Sequence, residues 1–177
     1  QHLDPTRKSL TAELVGTYTP MRVVQAKHGM TVEPNCVYVI PPNRYLTIHD
    51  RTLRLSAPAA PRSLRMAVDY FLRSLAADKG ERAIGIVLSG TGTDGTLGLR
   101  EVKAAGGMTM VQDPETAQHD GMPRSAIQLA VSRSTAGGRS PSRPPHMTTA
   151  VLPARDTRKS DFEAAKRRKR IRRLVGE

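Results

Sequence analysis

A chain of 177 residues that is 38% hydrophobic, with two Phe, four Tyr and no Trp, suits one domain whose modest core is built from Leu, Val, Ile, Met and Ala. No apolar run approaches the roughly 20 residues of a membrane span, and no basic region leads into an apolar stretch at the N-terminus, so the sequence reads as soluble and cytoplasmic, without membrane insertion. The net charge of +12 would suggest a nucleic-acid partner, but residues 132–177 hold 13 Lys and Arg against 4 Asp and Glu, which is +9, and leave 15 against 12, or +3, for residues 1–131.

His2 and Asp4-Pro5 open the chain ahead of a helix-like segment, residues 6–15. Cys36 stands alone, which excludes an internal disulfide framework and a Cys-based metal site and leaves a buried, inert thiol. Residues 37–40 are a short apolar strand followed by Pro41-Pro42-Asn43. The pattern Leu46-Thr47-Ile48, Asp50-Arg51, Leu53-Arg54-Leu55 alternates around a two-residue polar break and predicts a β-hairpin. Residues 63–79 place Leu64, Val68, Phe71, Leu72 and Leu75 at helical spacing, with Gly80 as the terminator.

Residues 83–88, Ala-Ile-Gly-Ile-Val-Leu, form a continuous apolar run of strand length, the pattern of a central parallel strand covered on both faces. A Gly-rich loop follows, then a helix over residues 96–105 closed by Gly106-Gly107, then a strand over residues 108–111. Strand, helix and strand in about 30 residues make a βαβ unit with a right-handed crossover. A short helix is expected over residues 123–129, begun by Pro123. Beyond it residues 132–145 are Ser, Arg, Gly and Pro, and residues 166–173 are almost unbroken basic sequence. That composition reads as a disordered tail, because it lacks the interleaved aromatics and the recognisable fold of a nucleic-acid module.

In open α/β sheets the functional crevice lies beyond the carboxyl ends of the strands, where residues 89–95 must sit. Gly90, Gly92 and Gly95, with Thr91 between the first two, allow close approach of backbone amides, so the loop can fix a carboxylate or bind an oxyanion. A phosphate loop is disfavoured by the missing Lys-Ser/Thr pair, by spacing that does not fit G-x-G-x-x-G, and by the negative charge of Asp94. Two readings of Asp94 stay open on local sequence: an N-cap for the helix over residues 96–105, or a catalytic acid. None of His28, His49, His119 and His146 shows zinc-ligand spacing such as H-E-x-x-H, so neither a metal nor a cofactor is expected.

Six segments in order give the sequence a resemblance to the catalytic domain of CheB-type protein-glutamate methylesterases, especially the form fused to a receptor methyltransferase. They are Gln1-His-Leu-Asp-Pro5; Val37-Tyr-Val-Ile-Pro-Pro-Asn43 with its hairpin; Leu88-Ser-Gly-Thr-Gly-Thr-Asp-Gly-Thr-Leu-Gly98; Lys103-Ala-Ala-Gly-Gly107; Val111-Gln-Asp-Pro-Glu-Thr-Ala117; and Gly121-Met-Pro-Arg-Ser-Ala-Ile127. The resemblance implies an α/β fold in three layers, a mostly parallel sheet with helices on both faces plus the hairpin, occupying residues 1–131, with residues 132–177 as the basic tail. It implies hydrolysis of glutamyl methyl esters, and deamidation of glutamines, on the cytoplasmic region of chemoreceptors in chemotaxis signalling, through a Ser-His-Asp triad and no cofactor. His2 takes the place of the triad His and Asp94 that of the Asp, supported by Gly90, Thr91, Gly92 and Gly95.

The family's nucleophilic Ser lies in a G-x-S-x-G-G turn ahead of the His, and no such turn occurs in the 177 residues. Ser89, Ser125 and Cys36 fall where the family has no nucleophile. The expectation is therefore an N-terminally truncated, incomplete copy that is inactive and unstable alone, with unpaired strand edges and an uncovered apolar face. A receiver or methyltransferase domain is an expected neighbour in the full-length protein. The switch to Arg, Ser and Pro after the last helix suggests a shifted reading frame, testable by translating the gene in its other frames. A non-catalytic remnant whose tail binds polyanions, with no specific nucleic acid, is the alternative.

Overall fold

The computed structural model describes residues 10–58, 65–132 and 149–152. The first part is a short helix, α1 (Thr11–Gly16), followed by β1 (Arg22–Gln25), β2 (Met30–Thr31), β3 (Cys36–Val39), β4 (Tyr45–His49) and β5 (Thr52–Ser56). The helix-like opening expected over residues 6–15 is seen only as α1, since residues 1–9 lie outside the described part. β1, which no sequence signal announced, pairs in parallel with β3.

β4 and β5 form the expected hairpin, with His49 opposite Thr52. Asp50 and Arg51 both adopt positive φ, 46° and 61°, which is the twist a two-residue hairpin turn requires. Neither residue favours that backbone, so outside contacts fix it. The Asp50 amide donates to Asp78 Oδ1 at 2.6 Å, and the Arg51 carbonyl accepts from the Val32 amide at 2.7 Å. The other Asp78 oxygen is ion-paired with Lys79 at 2.7 Å.

Helix α2 (Ala67–Lys79) is the wall shared by two cores. Leu72 and Ala76 pack with Val87, Leu99, Val102 and Val111, whereas Phe71 and Leu75 also meet Leu46, Ile48 and Leu53 of the hairpin. Ser74 fastens the second contact, its Oγ accepting from the Ile48 amide and donating to the Phe71 carbonyl. Gly80 ends α2 with φ of 53°, as its position predicts, and a turn of 3-10 helix leads into β6 (Ile84–Val87).

β6, α3 (Thr96–Ala104) and β7 (Met108–Gln112) complete the βαβ unit, with β6 and β7 parallel and Gly85 opposite Thr109. α4 spans Gly121–Ser132, starting before Pro123 and ending beyond the helix expected from sequence. A third parallel strand, β8 (Thr149–Leu152), extends the sheet beside β7. These four residues lie within the stretch 132–177 read as a basic, disordered tail and form a strand; the rest of 133–177 lies outside the described part.

The mixed α/β class, the parallel pairing and the hairpin are as expected. β6, however, is not a central strand buried on both faces: among the described residues it is an edge strand. Gly85 and Val87 face inward, while Ile84, Ile86, Leu88 and Met108 on the other face are 47–56% exposed. The described helices α2, α3 and α4 share one cluster with Val87 and Val111, while α1 packs against β1 and β3.

Two substitutions measure this asymmetry. Val87→Ala removes methyls from a core position that is 2% exposed and should cost about 2–3 kcal/mol by denaturant unfolding, from lost transfer energy plus a cavity. Ile86→Lys on the open face should change stability by less than about 0.5 kcal/mol and reduce aggregation of the 177-residue chain. A loss from Ile86→Lys as large as that from Val87→Ala would show the outer face to be covered.

Candidate active site

Residues 89–95 join the carboxyl end of β6 to the first turn of α3, as the sequence predicts. Gly92 and Gly95 have φ of 81° and 92°, and the positive φ at Gly95 turns the chain so that Asp94, only 4% exposed, points into the protein. Its Oδ2 accepts from the Val68 amide at 3.0 Å and its Oδ1 from the Asp69 amide at 2.9 Å. These are orphan amides in the first turn of α2. The cap reading is thus corrected in its target: Asp94 caps α2, a helix 25 residues earlier, and α3 has Gly95 at its N-cap with no side-chain bond.

The favour is returned. Asp69, 5% exposed, accepts from the Gly98 amide at 2.6 Å in the first turn of α3. Each helix N-terminus is therefore capped by a carboxylate from the other's neighbourhood, where the helix dipole also favours negative charge. The crossing is close enough to demand glycine at position 98, since a Cβ there would lie 2.6 Å from Leu72 Cβ and 3.0 Å from Asp69 Cα. Burial pushes the Asp69 carboxyl up from its ordinary 3.8; the Gly98 amide opposes that, the charge of Asp94 adds to it, and Arg73 and the Gly95 amide oppose it. Sequence reasoning missed Asp69, because an acid in the first turn of a helix is ordinarily a solvated one.

The other face of the loop is stitched to the segment before α4. Gly90 donates to the His119 carbonyl and accepts from the Met122 amide, both at 2.9 Å. Ser89 Oγ accepts from the His119 amide at 2.9 Å, and the Ser89 amide donates to Gln112 Oε1 at 2.8 Å. Thr91, Gly92 and Thr93 are exposed, with the Gly92 backbone close against Gly121, while Gly95 is buried against Val87 and Val68. Thr96 Oγ1 bonds Ser125 Oγ at 3.0 Å, so Ser89 and Ser125 are both engaged in structural bonds. Cys36 lies in β3, partly buried. His2 lies outside the described residues.

Among the described histidines, His119 meets the loop through its main chain, its carbonyl accepting from the Gly90 amide and its amide donating to Ser89 Oγ. His28 Nδ1 takes the Leu55 amide at 3.2 Å. His49, Asp50 and Asp78 offer ligand atoms within 4.8 Å of one another, a juxtaposition that the sequence spacing did not reveal. The Asp78 carboxylate there is already engaged by Lys79 and the Asp50 amide, and it serves the hairpin turn.

Fold and loop together define an α/β domain with a buried acid at the carboxyl end of a parallel strand. Residues 1–137 match the CheB methylesterase family model. The catalytic domain of the Thermotoga maritima CheB methylesterase has a similar structure, with a TM-score of 0.67 and 30% identity over 73% of this chain and 71% of that one. The chain is 33% identical to the protein-glutamate methylesterase FrzG of Myxococcus xanthus over 75% of its own length and 40% of that protein. It is 45% identical to an uncharacterized 104.1 kDa protein of Rhodobacter capsulatus, over 71% of its own length and 13% of the other. The chain belongs to the CheB methylesterase family, whose members are protein-glutamate methylesterases, carboxylic ester hydrolases. It spans 13% to 40% of the length of these curated relatives. No helix among the described residues is long and apolar enough to cross a membrane.

The paired caps make separable predictions. Asp94→Ala strands the Val68 and Asp69 amides and should cost about 2 kcal/mol or more in urea unfolding, at the upper end for loss of a cap. For Asp69 the sign runs the other way with pH: because its folded-state proton affinity is raised, its contribution to stability is greatest below 3.8 and falls as pH rises through the folded midpoint. Asn can still accept from Gly98 without the charge, so the stability of Asp69→Asn relative to wild type should increase from pH 3 to pH 7. A pH-independent difference would contradict that assignment.

Proposed function

We propose that this chain provides the acid-histidine part of a protein-glutamate methylesterase and glutaminase site acting on methylated chemoreceptors in the cytoplasm. The observation that carries the proposal is the Asp94 carboxylate, buried and aimed by two amides of α2 at the carboxyl end of β6, within the family's Gly-rich motif. In this reading Asp94 accepts the imidazole N–H of His2, fixes its tautomer and stabilises the imidazolium. His2 then takes the proton of a Ser nucleophile as the Ser oxygen attacks the ester carbonyl. It returns that proton to the departing methoxide, so that methanol leaves and an acyl-enzyme remains. Water, activated by the same imidazole, frees the glutamate. Thr91, Gly92 and Thr93 beside Asp94 are exposed residues.

The G-x-S-x-G-G turn that carries the family's nucleophile is not within these 177 residues, and the bonds made by Ser89 and Ser125 suit structural roles. Turnover accordingly needs a nucleophile from outside residues 1–177. Methanol release from methylated receptor is the test. The 177-residue chain alone should release none above background. A polypeptide joining it to a G-x-S-x-G-G segment should be active, and Asp94→Asn should lower its kcat by about 10³–10⁴. Methanol release by the 177-residue chain that is lost in Asp94→Asn would contradict the reading that the nucleophile lies elsewhere.

A further inference from the structure

At the end of α2 remote from Asp94, the β4–β5 turn and the last turn of the helix bring three ligand-type side chains together. One ligand atom each of His49, Asp50 and Asp78 lie within 4.8 Å of one another. They come from two separate elements, so no spacing along the sequence reveals them. Asp78 is the fixed member: its side chain is 5% exposed, and its Oδ1 accepts from the Asp50 amide at 2.6 Å. Its Oδ2 is buried and accepts no hydrogen bond among the described residues. Lys79 Nζ stands 2.7 Å from that oxygen but off the line of a hydrogen bond, so charge lies beside it with no donor aimed at it. A buried carboxylate oxygen left in that state is costly unless a better partner is supplied. His49 and Asp50 are the adaptable members, with side chains 64% and 87% exposed and His49 Nε2 3.3 Å from Asp50 Oδ2.

We propose that His49 Nε2, an Asp50 carboxylate oxygen and Asp78 Oδ2 bind a divalent first-row transition cation, Zn²⁺ the best match, which clamps the hairpin turn to the end of α2. One imidazole and two carboxylates make a mixed donor set that suits Zn²⁺ better than Mg²⁺ or Ca²⁺, which take oxygen ligands. Metal–ligand arms of about 2.0–2.2 Å at tetrahedral angles put neighbouring ligand atoms roughly 3.3–3.6 Å apart. His49 and Asp50 already stand at that separation. Rotation of these two exposed side chains closes the third edge, while the Asp50 amide holds the Asp78 carboxylate still. Three protein ligands leave the fourth position to water. The cation takes the place of the Lys79 ammonium, whose flexible, 24% exposed side chain can turn out to solvent. The buried Oδ2 then exchanges an unaligned point charge for a coordinate bond. The site is separate from the Asp94 loop and does not rest on the hydrolase reading.

The test is a titration of the 177-residue chain with Zn²⁺, followed by NMR at the imidazole of His49 and the amides of Asp50 and Asp78, with the other histidines as internal controls. Saturable shifts at these three residues are expected, together with a thermal midpoint that rises as Zn²⁺ is added. His49→Ala should weaken the binding by more than about tenfold, since loss of a mere outer-shell partner already costs roughly 10- to 100-fold. Lys79→Gln should tighten it by about fivefold or more, because it removes a unit charge about 4 Å from the cation, an interaction of that size even at the dielectric of water. Both variants leave the bond between the Asp50 amide and Asp78 in place, so the turn itself is preserved. The proposal is overturned by shifts confined to the other histidines, or by Zn²⁺ binding that is unchanged in His49→Ala. Weaker binding in Lys79→Gln, which would make the ammonium part of a purely structural ion pair, overturns it too. Tighter binding of Ca²⁺ or Mg²⁺ than of Zn²⁺ would overturn the assignment of the imidazole as a ligand.

Discussion

Two helices cannot meet N-terminus to N-terminus inside a protein unless something satisfies their first amides, and here each is served by an aspartate from the other. α2 and α3 begin within one side chain of each other, their dipoles both directing positive potential into the crossing. Asp94 and Asp69 neutralise it, accepting from Val68, Asp69 and Gly98. Remove that exchange and the crossing would contain buried amides without acceptors, each costing about 1–3 kcal/mol. The loop geometry, the burial of Gly95 and the need for Gly98 all follow from the same contact. So does the aim of Asp94, whose oxygens are held by backbone amides of α2.

A carboxylate that is buried loses its hydration, and fixed dipoles can replace the lost water. The first turn of α2 supplies them for Asp94. Asp69 carries the cost instead, with its carboxyl pushed up by burial and by its neighbour.

The elements that were legible in the sequence are those with local signals. The hairpin follows from alternation around Asp50-Arg51, α2 from its apolar spacing and Gly80, and the βαβ unit from an apolar run, a glycine cluster and a second glycine pair. What escaped is non-local. β1 is a four-residue strand without alternation, stabilised by its partner β3. β8 is a four-residue apolar stretch within a basic region, paired with β7. β6 has the composition of a strand covered on both faces, and the described residues cover one. The loop was legible as a strand-to-helix connection, because three glycines follow an apolar strand and precede a helical pattern. The target of Asp94 was not, since a capping motif is read within three or four residues and its amides lie 25 and 26 residues away.

Hydrogen exchange at individual amides tests the exchanged caps most directly. In the wild-type chain the amides of Val68, Asp69 and Gly98 should be protected like the central turns of their helices, although first-turn amides normally exchange fast. In Asp94→Ala, protection at Val68 and Asp69 should fall by more than about tenfold beyond the change at Leu72 and Ala76, the signature of a local rather than a global loss. Equal loss at all four positions, or unprotected Val68 and Asp69 amides in the wild type, would contradict the account.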